Sequence, residues 1–134
     1  MLLGLLTSAA ALVAHALGAK EQLAKQGSTV RYFAAGANSV LGNFAQGRFA
    51  AITFGECVTF ASYEAYLDPN IRRHELIHVA QWRRVGVLVF SWNYLRDYTR
   101  GRLKGLKHFE AYREIRYEAE AYLCEHDKRF PSLM

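Results

Sequence analysis

Hydrophobic positions near the start of the chain recur every three or four residues, which is the spacing of a helix. This apolar stripe comprises Leu2, Leu5, Leu6, Ala9, Leu12, Val13, Ala16, Leu17 and Leu23. The opposite face is small and weakly polar, and includes Gly4, Thr7, Ser8, Ala11, His15 and Gly18. The pattern predicts one helix over residues 2–25 that is buried in the domain. Because no charged side chain precedes Lys20, a membrane-associated role for residues 2–19 remains the alternative.

Between Gly27 and Ser62 the pattern changes to short runs that are rich in β-branched and aromatic residues. Two such runs read "TVRYF" and "AAITFGECVTFAS", with turn-forming residues between them. In the second run, apolar and polar positions alternate until Glu56 interrupts them beside Gly55. The region predicts two or three strands of a small sheet, with a bulge or bend near Gly55.

Helical spacing returns in the second half of the chain. Asp68 and Pro69 form a helix start signal and Gly86 a stop signal, which predicts a helix over residues 70–85. Two further helices are predicted from "VLVFSWNYLRDYTR" and "HFEAYREIRYEAEAYLCEHDKRF", joined by "GRLKG". The order of helix, small sheet and three helices predicts a single α+β domain over residues 1–134.

Composition narrows the class of protein and the compartment. A chain of 134 residues with 51% hydrophobic and 22% charged residues is typical of one folded domain. Cys57 and Cys124 are too few for a disulfide scaffold, so we expect free thiols and a cytoplasmic location. Residues 72–116 hold eleven Lys or Arg against four Asp or Glu. Since no nucleic-acid motif accompanies this basic segment, we expect a solvated helical surface and no specific nucleic-acid partner.

The segment "HELIH" places His74, Glu75 and His78 in the order H-E-x-x-H on the predicted helix 70–85. Histidines four residues apart project from one helical face, where both imidazoles can bind one Zn²⁺. Glu75 would lie beside the metal without binding it and could serve as a general base. Apolar neighbours on both sides predict a mostly buried helix, and half-buried histidines require partners.

A catalytic zinc generally has three protein ligands, so a third must come from elsewhere in the chain. The remaining histidines are His15, His108 and His126, and the last predicted helix carries Glu110, Glu114, Glu118, Glu120 and Glu125. Helical geometry groups Glu118 and Glu125 on one face, with Glu114 at its edge and Glu120 roughly opposite. The glutamates are therefore better candidates than the histidines.

The segment "HELIHVAQW", followed forty residues later by "YEAEAY", resembles the gluzincin branch of the zinc metallopeptidases. The residues "EAEA" match the E-x-x-A of the gluzincin glutamate helix, although Tyr122 stands where those families carry Asp. A closer resemblance is to short bacterial zincin-like proteins, or minimal gluzincins. Their blocks are matched by "TFGECVTF", "HELIHVAQW" and "AYREIRYEAEA", within residues 50–122. This resemblance implies a zincin-like domain with an N-terminal backing helix, a small sheet, the HExxH helix and a C-terminal glutamate helix. It also implies that Glu118 is the third metal ligand and that "ITFGECVTF" is an edge strand that pairs with substrate.

Together these features predict a zinc-dependent metallopeptidase that hydrolyses peptide bonds with a zinc-activated water and Glu75 as base. The partner would be a peptide or protein substrate. Candidates for stabilising the transition state are Tyr112, His108 and Tyr122, although packing is the commoner role for a tyrosine at either position. The alternative is a non-catalytic zinc-binding domain with a structural or partner-docking role, and an intact Glu75 argues against it.

Overall fold

The computed structural model describes residues 1–128, in which helices surround a small four-stranded sheet. This arrangement confirms the predicted α+β class. In chain order the elements are α1 (Leu2–Ala16), β1 (Ala19–Gln22), β2 (Arg31–Ala35), α2 (Val40–Ala45), β3 (Ala51–Phe54), β4 (Cys57–Phe60), α3 (Tyr63–Leu67), α4 (Pro69–Val85), α5 (Val87–Leu103), α6 (His108–Glu114) and α7 (Arg116–Cys124).

The sheet has the strand order β1-β2-β4-β3, with a parallel pair at its centre. In that pair Tyr32 lies opposite Val58, and antiparallel strands flank it on both sides. Alternate residues of the two central strands face opposite layers. Phe33 and Cys57 pack against α1 and α2, whereas Tyr32 and Val58 pack against α3 and α4. The helix that carries H-E-x-x-H is therefore supported directly by the sheet.

The helix predicted over residues 2–25 is wrong in length, because α1 ends at Ala16 and the chain enters β1 at Ala19. Gly18 makes the change of direction with a φ of +95°, a backbone conformation that favours glycine. No helix within residues 1–128 combines the length and the apolar character that crossing a bilayer requires.

The face of α1 that packs on the sheet is the small one and not the leucine stripe. Thr7 and Ala11 are buried, whereas Leu5 and Leu12 are 63% and 71% exposed. Thr7 Oγ1 accepts a hydrogen bond from the Glu56 amide at 2.9 Å and donates one to the Leu3 carbonyl at 2.8 Å. Small side chains let the helix approach the sheet closely, so α1 is buried through this face.

The segment "ITFGECVTF" forms a hairpin and not the single edge strand that we expected. Gly55 and Glu56 make a two-residue turn between β3 and β4, and Gly55 has a φ of +63°. A Cβ atom at Gly55 would lie 2.8 Å from Thr7 Oγ1, so glycine is also required for the contact with α1. Of these two strands, β3 lies at an edge of the sheet and β4 lies inside it.

The boundaries predicted for α4 are confirmed. The Asp68 side chain accepts hydrogen bonds from the amides of Asn70 and Ile71, at 2.8 and 3.2 Å. Pro69 begins the helix, and Gly86 follows its last residue with a φ of +82°.

The single final helix that we predicted is divided at Ile115 into α6 and α7. Ile115 has extended backbone angles, and Asp97 of α5 accepts a hydrogen bond from the Arg116 amide at 3.1 Å. Two further bonds join Asp97 to the Arg116 guanidinium, at 2.8 and 2.9 Å. A side chain from another helix thus satisfies the first amide of α7, which local sequence cannot indicate.

A stack of aromatic rings fixes α7 relative to α4 and α5. The Phe90 ring lies 3.8 Å from Trp82 and 4.3 Å from Tyr117, measured between centroids, and the rings are nearly parallel. Phe90 is buried, whereas Trp92 of the same helix is exposed. Gly101 of α5 meets Ala111 of α6 closely enough that an added Cβ would lie 3.0 Å from that alanine's Cβ.

Candidate metal centre

Three side chains from two helices converge at one point between α4 and α7. His74 Nε2 and His78 Nε2 are 3.2 Å apart. Glu118 places Oε1 3.2 Å from His74 Nε2 and Oε2 3.0 Å from His78 Nε2. His74 and His78 come from adjacent turns of α4, and Glu118 comes from the first turn of α7. The structure therefore brings together the three residues that we predicted as metal ligands, although the ligand role itself stays a prediction.

The other nitrogen of each imidazole has its own partner. His74 Nδ1 lies 2.8 Å from Glu125 Oε2, and His78 Nδ1 lies 2.7 Å from Gln81 Oε1. A carboxylate and an amide oxygen both accept hydrogen bonds, so each Nδ1 carries the proton. Both Nε2 atoms then keep their lone pairs free when the rings are neutral, which is the state that binds a metal.

Gln81 is held in one orientation by two further contacts. Its Nε2 donates to the Tyr117 carbonyl at 3.0 Å and to Glu120 Oε1 at 2.7 Å. The Gln81 amide oxygen must therefore face His78. Glu120, which helical geometry placed opposite Glu118, is connected to the site through Gln81, and sequence reasoning missed this link.

The centre is buried, and its charged groups shift one another's pKa values. Burial disfavours the charged form of His78, but the hydrogen bond to Glu118 and the charges of Glu75 and Glu118 outweigh it and raise the pKa of His78 to about 9. Burial likewise lowers the pKa of His74, but the hydrogen bond to Glu118 outweighs burial and leaves this pKa raised. Burial would raise the pKa of Glu118, yet hydrogen bonds from both histidines hold that pKa well below its usual range.

The donor set fits a zinc ion. With neutral rings, two imidazole lone pairs and a carboxylate face one another at 3.0–3.2 Å with no proton between them. Such a group of acceptors needs either added protons or a cation. Ligand atoms about 2.0–2.1 Å from a tetrahedral zinc lie about 3.3 Å from each other, which is within a few tenths of an ångström of this spacing.

Glu75 lies one residue after the first histidine and is almost completely buried. Thr53 of β3 donates a hydrogen bond from its Oγ1 to Glu75 Oε2 at 2.6 Å. This bond fixes the carboxylate against the edge strand and engages one of its two oxygens. Thr53 was not among the predicted site residues. It lies opposite Val58 in the sheet register and therefore faces α4.

Two tyrosines approach Glu118 from α5 and α6. Tyr94 donates its hydroxyl to Glu118 Oε2 at 3.3 Å, and the nearby Tyr112 phenol also lowers the pKa of the Glu118 carboxyl. Burial and the charge of Glu118 raise the pKa of both phenols, which keeps them protonated as donors. Tyr112 was one of the predicted candidates for transition-state stabilisation, whereas Tyr94 was not among the predicted site residues.

The other two candidates for that role differ in position. The Tyr122 ring packs edge-on against His74, with centroids 4.7 Å apart, and the Arg113 guanidinium lies over the Tyr122 ring, 4.1 Å from its centroid. His108 lies at the exposed start of α6, where its Nδ1 is 2.8 Å from the Tyr98 hydroxyl. Tyr122 thus borders the centre, and His108 is engaged by Tyr98.

The alternative third ligands also occupy distinct positions. Glu114 is exposed at the end of α6, while Glu125 contacts the outer nitrogen of His74. Among residues 1–128, His74, His78 and Glu118 are the one group of three or more His, Cys, Asp or Glu side chains whose ligand atoms lie within 4.8 Å of one another.

Comparisons with protein-family models, with curated proteins and with solved structures found no match to this chain.

Proposed function

We propose that this protein is a zinc-dependent metallopeptidase of the gluzincin type. The observation that carries the proposal is the convergence of three side chains, with Glu75 beside them. His74 Nε2 and His78 Nε2 lie 3.2 Å apart, and the Glu118 carboxylate places Oε1 3.2 Å from the first nitrogen and Oε2 3.0 Å from the second. Each imidazole is already held in the metal-binding tautomer by an acceptor on its far nitrogen. The resemblance in "HELIHVAQW" and "YEAEAY" supports the same function.

The roles of the residues follow from their contacts. His74, His78 and Glu118 would hold the ion, which when bound makes water acidic enough to react near neutral pH and polarises a peptide carbonyl. Glu75 accepts the proton from the attacking water and returns it to the leaving amine. Thr53 fixes Oε2 of Glu75, so Oε1 is the oxygen left for proton transfer.

The position of β3 favours an extended peptide as substrate. Within residues 1–128, β3 pairs only with β4, so its other side presents unpaired backbone groups. Thr53 places this edge against Glu75. A peptide that adds to the edge as a further strand gains main-chain hydrogen bonds with little dependence on its sequence.

The free thiols of Cys57 and Cys124 fit a reducing compartment such as the cytoplasm.

The test is to incubate the zinc-loaded protein with a peptide library and detect cleavage by mass spectrometry. We expect Glu75→Gln to retain zinc and to lose at least about 100-fold in hydrolysis, because general-base catalysis contributes that much. The matched control is Glu64→Gln, at an exposed position of α3, which should cleave like the wild type. Wild-type hydrolysis by Glu75→Gln would contradict the mechanism and leave the metal centre unaffected.

A non-catalytic zinc-binding role is the second candidate, and the burial of the centre favours it. His74, Glu75, His78 and Glu118 are only 7%, 6%, 5% and 3% exposed. A substrate carbonyl needs an open position at the metal, so a centre this closed could serve structure alone. Absence of cleavage by a protein that binds one zinc ion tightly would favour this candidate.

A further inference from the structure

The outward face of α5 exposes a stripe of large apolar side chains. Leu88, Trp92, Leu95 and Leu103 are 73%, 64%, 60% and 84% exposed, although they recur at the helical spacing typical of a buried face. The inner face of the same helix holds Phe90, Tyr94 and Gly101 in the core described above. A contiguous row of exposed, large apolar side chains is typical of a surface that binds an apolar partner, such as another protein or a membrane.

Basic side chains border this stripe. Arg96, Arg100 and Lys104 follow one another at four-residue spacing along one side, and Arg102 lies on the other. The apolar and basic residues together line a shallow groove formed by Trp92, Leu95, Arg96, Thr99, Arg100, Leu103 and Lys104. The acidic residue of α5, Asp97, is paired with Arg116. The face is therefore both apolar and positively charged.

We infer that the outward face of α5 docks this protein on an anionic lipid surface. An in-plane helix of this kind buries its apolar side chains at the boundary between headgroups and acyl chains, and its flanking cations contact anionic headgroups. The arrangement on α5 supplies both parts, with exposed Trp92 suited to the interface. The positive charge beside the apolar stripe favours an anionic bilayer as the partner. A groove on another protein would need acidic side chains placed to match each of these arginines.

The exposed stripe of α1 provides an internal comparison. Leu5 and Leu12 are as exposed as the apolar residues of α5, yet residues 2–16 carry no Lys or Arg. A purely hydrophobic attraction to lipid would use both helices, whereas attraction to anionic headgroups requires α5. This inference does not rest on the proposed peptidase activity.

Trp92 makes docking directly measurable. The protein has two tryptophans, of which Trp82 is buried in the aromatic stack and Trp92 is exposed. We expect the emission of Trp92 to shift to the blue when the full chain is titrated with vesicles of phosphatidylcholine and phosphatidylglycerol. Vesicles of phosphatidylcholine alone should give little shift, and added salt should reverse the binding. Equal partitioning into both kinds of vesicle would overturn the inference.

Variants identify the face. Arg96→Gln with Arg100→Gln should lower the partition coefficient by roughly 30-fold, since each basic residue near an anionic surface contributes about fivefold. Leu95→Glu should abolish binding, whereas Leu12→Glu on α1 should leave the charge dependence intact. All are exposed positions, so near-ultraviolet circular dichroism should match the wild type. A loss confined to Leu12→Glu would overturn the inference. So would a wild-type dimer that Leu95→Glu separates while neither protein binds vesicles.

Discussion

Replacing Gln81 by Met tests whether the hydrogen bonds behind the histidines prepare the metal centre. Gln81 is fully buried, and methionine has a similar length and volume, so the core should keep its packing. The change removes the acceptor 2.7 Å from His78 Nδ1 and the donor to the Tyr117 carbonyl. His78 then loses the partner that places its proton on Nδ1 and leaves Nε2 free.

The expected losses in zinc affinity and in folding stability follow from the hydrogen bonds that the substitution removes. Removing a partner from the far nitrogen of a metal-binding histidine typically lowers metal affinity by 10- to 100-fold, or about 1.4 to 2.7 kcal/mol. Unfolding of the metal-free variant should be easier by roughly 1 to 3 kcal/mol, because His78 Nδ1 is left buried without an acceptor. Zinc affinity should be measured by competition with a chelator of known affinity, and stability by urea denaturation.

The control is Gln46→Met, at an exposed position after α2, which should change neither quantity. If Gln81→Met bound zinc as tightly as the wild type, the tautomer of His78 would not depend on Gln81. The argument from its contacts would then be refuted.

Two further predictions follow from the same contacts. First, metal-free protein should lose stability as the pH rises from about 6.5 to about 9, because the raised pKa of His78 means that protonation stabilises the folded state below this window. The loss should amount to roughly 3 kcal/mol in urea denaturation. It should be smaller in metal-free His78→Gln, in which only the raised pKa of His74 still contributes, and a flat profile for the metal-free wild type would contradict the prediction. Second, Gly101→Ala should destabilise the fold by about 1 to 3 kcal/mol, because the new Cβ would lie 3.0 Å from the Ala111 Cβ and force α5 and α6 apart. Gly4→Ala, which meets no atom within 4 Å, should instead be neutral or slightly stabilising in the same thermal melt, and equal melting temperatures for Gly101→Ala and the wild type would refute the close contact.

Local signals were sufficient for α4 and the histidines it carries. Asp68, Pro69 and Gly86 act within a few residues along the chain, so the boundaries of this helix could be predicted. The spacing of His74 and His78 is a property of one helix and needs no tertiary information. Glu118 was chosen from its helical face and the E-x-x-A match, and it now lies against both histidines.

Features that depend on contacts between distant segments could not be predicted. The burial of α1 depends on Thr7 bonding to the Glu56 amide and on the absence of a side chain at Gly55, which are 49 and 48 residues away. The break at Ile115 depends on Asp97, which lies on a different helix. Thr53 and Glu120 reach the centre through Glu75 and Gln81, and neither belongs to a motif that a sequence pattern would mark.

The metal content of purified Glu118→Ala, compared with that of the wild type, tests the central claim most directly. We predict about one zinc ion per chain in the wild type, with Glu118 Oε1 or Oε2 about 2.0–2.2 Å from the ion. Glu118→Ala should lose the metal, whereas Glu114→Ala, at the exposed end of α6, should keep it. Glu120→Ala should weaken binding by less than about tenfold, because the Tyr117 carbonyl still holds Gln81. A wild-type protein that takes up no zinc, or a Glu118→Ala variant that retains it, would contradict the proposed metal centre.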